Sequence, residues 1–137
     1  MYHRVELFAD PLKILDRQDR KHAEMSDFDH AFLCGLIKEK RPKKILEIGV
    51  AWGGTTTVIM HCCDMLGIEV SFASVDLNKA CYREPDKKTG YVFDSLVDRL
   101  DKPENHRFYL GGIYPDFAEE IGNDIDLLVL DTVHSMP

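Results

Sequence analysis

The sequence is poor in the features that mark several large classes of protein. No apolar run approaches the roughly 20 residues that a bilayer span requires, so no membrane partner is expected. The chain has 4 cysteines, at positions 34, 62, 63 and 81, and no CxxC pair among them. Such thiols read as reduced, buried small hydrophobes rather than as a redox or zinc motif. The 6 histidines are scattered without zinc spacing. Basic charge is in short supply: Lys plus Arg number 17 against 24 Asp plus Glu, a net charge of −7. That balance disfavours a phosphate-rich partner, and no nucleic acid is expected. Internal repeats and low-complexity tracts are absent. Met1 to Glu6 meets acidic residues early and leads into no apolar h-region, so no secretory signal is read and a cytoplasmic location is expected.

What remains is an ordinary globular mixture, with 45% hydrophobic and 30% charged residues in 137 positions, the length of a single domain. Residues 1–25 are charged and weakly periodic and read as an N-terminal arm, irregular or holding one short helix. Ser26 then offers a helix cap, with Asp27 and Asp29 at the positive end of the dipole. Phe28, Phe32, Leu33, Leu36 and Ile37 follow at helical spacing until Arg41-Pro42 stops the helix. The basic run from Lys38 to Lys44 reads as a solvated helix end rather than a phosphate site.

From Lys44 onward strands and helices alternate. Strands are expected at 44–48, 69–77, 107–110 and 126–131, and helices at 55–66, 91–100 and 115–121, with a polar stretch at 78–89. This order predicts an α/β fold, a Rossmann-like doubly wound parallel sheet in the spatial order 3-2-1-4.

In such a sheet the ligand crevice lies at the carboxyl ends of the strands. Three features fall there. Glu47 to Thr55 forms a glycine loop entering a helix, in which Gly49 turns the chain off the strand and Gly53 and Gly54 remove side chains where the helix begins. Asp76 ends the second strand, where a carboxylate can accept from the vicinal hydroxyls of a ribose. Asp131 ends the fourth. The glycines alone could be making only a tight strand-to-helix turn; loop, acid and apolar fourth strand together point to a nucleoside cofactor. A nicotinamide site wants GxGxxG, which Gly49-x-Ala51-x-x-Gly54 meets loosely, and Gly49 and Asp76 are 27 positions apart against the ~20 of that fingerprint. An adenosylmethionine site, with no pyrophosphate to seat, better suits Glu47 ahead of Gly49 and the bulky Trp52 within the loop. An NAD(P)-dependent oxidoreductase and a non-catalytic cofactor-binding module remain the alternatives.

The stretch Lys44 to Thr57 (KILEIGVAWGGTTT) resembles the first motif of class I S-adenosylmethionine-dependent methyltransferases, closest to the small-molecule O-methyltransferases of the catechol type and their bacterial sugar and natural-product relatives. Ser74 to Asn78 is similar to that family's second motif, and Asp126 to Ser135 to its fourth-strand motif. The resemblance implies methyl transfer from S-adenosyl-L-methionine to a small-molecule acceptor, on oxygen. By the same resemblance Glu47, Gly49, Gly53 and Gly54 line the methionine end of the cofactor, with Val50 and Ala51 between them. Asp76 and Leu77 hold the ribose side, and Gly111 and Gly112 stand beside the adenine. Ile113 occupies a position where relatives often carry a polar or acidic residue. Asp131 matches a cofactor-side position that binds a divalent cation in metal-dependent members, which makes Mg2+ a candidate metal whose further oxygens would come from downstream residues, water or substrate, since a single carboxylate does not dehydrate that ion.

His134 is the candidate general base, since an imidazole can take a hydroxyl proton near neutral pH; the plain alternative is a polar loop residue. The family's sheet has further strands after the fourth, so an incomplete domain is expected. An open fourth strand would then be an apolar edge through which the chain could form a homo-oligomer.

Overall fold

The computed structural model describes residues 4–131. Four strands, β1 (Lys44–Ile48), β2 (Ser71–Asp76), β3 (His106–Leu110) and β4 (Leu127–Leu130), form one parallel sheet in the order β3-β2-β1-β4. This is the order expected from the alternation of elements. The chain works outward from β1 to β3 and then returns to place β4 on the other side of β1, which makes the β1–β4 boundary a switch point.

Among the described residues five helices accompany the sheet: α1 (Arg17–Arg20), α2 (Asp27–Lys40), α3 (Gly54–Leu66), α4 (Tyr91–Ser95) and α5 (Tyr114–Ile121). Strand pleating divides the core. Ile45, Phe72 and Val129 join the residues of α2, α3 and α4 on one face. Leu46, Ala73 and Val75 meet Ile121 of α5 on the other.

Several elements differ from their expected form, each for a physical reason. Ser26 caps α2 through the Asp29 N–H at 3.1 Å as expected, but the buried face of α2 is His30, Ala31, Leu33, Cys34 and Ile37. Phe28 and Phe32 are on the exposed side, at 64% and 45%. The helix expected over 91–100 ends at Ser95 and continues as a 3-10 turn, Val97–Arg99. The arm is built into the core: a 3-10 turn, Asp10–Ile14, buries Leu12 and Ile14, and Leu15 follows them inside. The arm's Glu6 carbonyl passes so close to α2 that a Cβ on Gly35 would collide with it. All four cysteines are free and buried. Among the described residues no helix is long and apolar enough to cross a membrane.

The polar stretch after β2 is a closed hairpin. Cys81 N–H donates to Lys87 O at 2.7 Å, Thr89 N–H to Lys79 O at 3.0 Å, and Lys87 N–H to Glu84 O at 2.8 Å across Pro85-Asp86. Ala80 and Lys88 form an antiparallel bridge within it.

Candidate functional site

A cleft of about 390 Å3 opens at the carboxyl ends of the strands. Its floor is the glycine loop, Gly49, Val50 and Ala51, with Ile48 and Val75 beneath. Gly49 adopts φ +97°, and Ala51, although not glycine, adopts φ +51°. Left-handed backbone at a non-glycine residue is uncommon and is held only where the surroundings over-determine it.

Asp76 supplies that determination. Its Oδ2 accepts from the N–H groups of Val50 at 2.9 Å and Ala51 at 3.2 Å, and its Oδ1 accepts from Asn78 N–H at 2.8 Å. The carboxylate at the tip of β2 therefore ties down the loop at the tip of β1. Oδ2 is thereby filled, and Oδ1 keeps one lone pair for a further donor.

The mouth is apolar. Leu77 is 66% exposed, Ile113 56% and Tyr82 51%, and all three line the same cleft. Large exposed apolar side chains gathered at one concavity are a binding feature, not a packing one. Gly112 and Tyr114 complete the β3 side, and Asp131 closes the β4 side. Burial, reinforced by the charges of Glu24 and Asp29, raises the Asp131 carboxyl to about 6.

Of the residues expected at a cofactor site, Gly49, Val50, Ala51, Asp76, Leu77, Gly112 and Asp131 thus meet around one cavity. Four others stand behind it. Glu47 is fully buried under the loop, its Oε1 accepting from Thr56 at 2.6 Å and Ser74 at 2.7 Å. Burial pushes its carboxyl up to about 8, against the opposing pull of those two hydroxyls. Gly53 and Gly54 serve close packing: a Cβ on Gly53 would stand 2.8 Å from the Gly90 Cα, and one on Gly54 would stand 2.8 Å from the His22 carbonyl oxygen. Gly111, at φ +87°, donates its N–H to Asp76 O and lies under the Lys79 side chain. His134 lies outside the described residues.

Mg2+, the candidate metal at Asp131, is not supported by the described residues. Among the described residues no group of three or more His, Cys, Asp or Glu side chains could hold a metal ion. A hard cation needs several oxygens, and Asp131 offers one carboxylate.

Sequence reasoning missed Tyr82, Asn78, Ile113 as a lining residue, and Tyr114. Only Glu84-Pro85-Asp86-Lys87 carried a usable signal, a turn signature that would have folded Tyr82 back toward the strand tips.

No protein-family model matches the sequence, and no curated protein matches it. Among solved structures the chain is similar to the SAH-bound methyltransferase PaMTH1 of Podospora anserina, at 13% identity and a TM-score of 0.64, over 94% of this chain and 53% of that one. The chain has the fold of a Rossmann-like methyltransferase. A second solved chain, described as cmcI-N160 SAH, is 19% identical with a TM-score of 0.48 over 77% of this chain and 46% of that one, too loose a likeness to carry weight. The chain spans about half the length of both.

Proposed function

We propose that the cleft binds S-adenosylmethionine and that the chain serves methyl transfer from it to a small-molecule acceptor, on oxygen. The observation that carries this reading is Asp76, bonded to the amides of Val50 and Ala51 beneath the apolar mouth of Leu77 and Ile113. The SAH-bound state of a neighbour with the same fold supports it.

The residues present fit that cofactor. The left-handed backbone at Gly49 and Ala51 lets the loop lie flat under a ligand. Asp76 can accept from a ribose hydroxyl through Oδ1, and Leu77 and Ile113 offer apolar surface to a purine. Asp76 and Asp131 make the cleft acidic, which suits a ligand carrying sulfonium and ammonium charge. Bound there, the cofactor would supply an electrophilic methyl group. The chain's own contribution is binding, orientation and exclusion of water.

A dinucleotide fits less well. The amides that would face a pyrophosphate, those of Val50 and Ala51, already donate to Asp76, and a second anion would meet that carboxylate. The arm's His22 and Ala23 also lie against Gly54, at the start of the helix where a pyrophosphate would rest.

Calorimetry with S-adenosylhomocysteine and with NAD tests the choice. Binding of the homocysteine nucleoside with no response to NAD is expected; tight NAD binding with no response to the nucleoside overturns the reading. Cofactor binding without transfer to any acceptor class would leave a non-catalytic module.

A further inference from the structure

One cluster of side chains outside the cofactor cradle remains without a role. Glu84, on the hairpin after β2, gathers donors from separate elements onto one carboxylate oxygen. The Trp52 indole N–H donates to Glu84 Oε1 at 3.0 Å, and the Tyr91 hydroxyl donates to the same oxygen at 3.0 Å. The His22 Nε2 of the arm stands 3.4 Å from it. Beside it the Arg83 guanidinium lies 5.8 Å from the Trp52 ring centre and 5.5 Å from that of Tyr82, with its Nε 3.5 Å from Glu24.

These contacts do not shape the hairpin, which is closed by its own backbone bonds between Lys79 and Thr89, Cys81 and Lys87, and Glu84 and Lys87. Both hydrogen bonds of the Glu84 side chain run outward, to the glycine loop and α4, with His22 of the arm close by. Charge-assisted bonds of this kind are the strong ones, and here they fix the position of a preformed unit. At the backbone level the hairpin's base is tied to the same loop, Gly90 N–H donating to Ala51 O at 2.8 Å. What the unit carries to the cleft is Tyr82, half exposed and lining it together with Leu77 and Asn78.

We propose that Tyr82 is a ligand-contacting residue of the cleft, an aromatic wall for the nucleoside, and that Glu84 is a positioning residue that holds it there by latching the hairpin to Trp52 and Tyr91. This rests on the cofactor reading above and adds to it a specificity element that no motif in the chain announces. A flat purine gains from an aromatic face, and a wall fixed before binding loses less entropy when the ligand arrives.

Trp52 is the only tryptophan in the chain, so its emission reports the latch directly. The 137-residue chain and the variants Tyr82→Ala, Tyr82→Phe, Glu84→Ala and Glu84→Gln are titrated with S-adenosylhomocysteine by calorimetry, and Trp52 emission and its quenching by acrylamide are recorded without ligand. Tyr82→Ala is expected to weaken binding about tenfold, and Tyr82→Phe, which keeps the ring, to stay within about twofold. Glu84→Ala should change Trp52 emission, raise its quenching and weaken binding about fivefold, the scale of a lost positioning contact. Glu84→Gln keeps an oxygen acceptor for the indole and the phenol and should recover most of both signals, a rescue that lost fold stability alone would not give. If the wild-type chain binds the nucleoside and Tyr82→Ala binds as tightly, the inference is overturned while the cofactor reading stands. Unchanged Trp52 emission in Glu84→Ala overturns the latch. A wild-type chain that binds neither S-adenosylmethionine nor its product overturns the cofactor reading, and the role of Tyr82 falls with it.

Discussion

Gly53 and Gly90 meet backbone to backbone: a Cβ on Gly53 would stand 2.8 Å from the Gly90 Cα, and Gly53 holds φ +94° where Gly90 holds φ +80°. The two glycines join the loop after β1 to the base of the hairpin after β2. A glycine that looks like part of a cofactor fingerprint is here required by the contact between two loops. The cofactor-facing left-handed positions are Gly49 and Ala51.

Gly53→Ala should therefore be costly in stability. It combines left-handed strain, about 1–2 kcal/mol for an L side chain, with overpacking against backbone that cannot turn aside, about 1–3 kcal/mol. Gly67→Ala is the control. Gly67 is also left-handed, at φ +67°, but nothing lies within 4 Å of its added Cβ, so only the strain should appear. Urea unfolding of both variants reads the difference, and equal losses would show that the Gly53–Gly90 contact does not constrain the fold.

Asp76→Ala should weaken cofactor binding by ~1.5–3 kcal/mol, the worth of charge-assisted hydrogen bonds. Part of that loss is indirect, because the amides of Val50 and Ala51 lose their acceptor and the loop loses its clamp. Asp76→Asn retains one carbonyl oxygen and should fall between wild type and alanine. Calorimetry with S-adenosylhomocysteine measures all three, and an unchanged affinity in Asp76→Ala would mean that the ribose is held elsewhere.

The sheet order could be read from the sequence because short apolar runs alternate with helices from β1 to β4, and Asp76 could be read because a lone acid closes such a run. The arm could not. Leu12 and Leu15 sit in turns too short for any periodicity, and the core they join is built from residues far along the chain. Phe28 and Phe32 share the helical spacing of Leu36, yet α2 turns a different face inward, one that includes a histidine paired with Thr55 at 2.9 Å. Tyr82 was hidden for another reason: it reaches the cleft through backbone pairing within the hairpin, which leaves almost no trace in composition. Glu47 was read as cofactor-lining from its place in the motif, whereas strand pleating turns it into the core.

Glu47 and His106 should give stability two opposing pH dependences. Both bond to Ser74: its hydroxyl donates to Glu47 Oε1 at 2.7 Å, so it accepts from the His106 Nε2–H at 2.8 Å, with the imidazole neutral. Burial raises Glu47 from 4.5 to about 8, so between those values the folded chain holds a proton that the unfolded chain has lost. Its contribution is complete below pH 4.5 and is lost as pH rises through 8, by up to about 1.4 kcal/mol per unit. Burial lowers His106 from 6.5 to about 3, so its contribution is complete above 6.5 and is lost as pH falls toward 3. Glu47→Gln abolishes the first slope, and its stability relative to wild type should climb steadily from about pH 5 to about pH 8. Parallel pH curves for the two proteins in urea unfolding would refute a protonated Glu47.

The open side of β4 should make the 137-residue chain self-associate. Among the described residues β4 pairs with β1 alone, and Leu128 and Leu130 are 52% and 64% exposed on it. Phe32 of α2, exposed beside the strand, extends the apolar surface. Unpaired strand edges bordered by such surface recruit further strands. The edge is also polar in charge along its length. Glu24, Asp29 and Asp131 border it at the carboxyl end of β4, while Lys40, Arg41 and Lys43, outnumbering Asp126, border it at the other. Two copies meeting antiparallel would bring the acidic end of each to the basic end of the other, so association should weaken with added salt. Leu130→Lys places a charge on the edge, the device by which natural sheets stay monomeric, and should return the chain to monomer with the sheet intact. Sedimentation across a range of protein concentrations reads the mass, and a wild-type chain that stays monomeric throughout would show that this edge does not recruit a second copy.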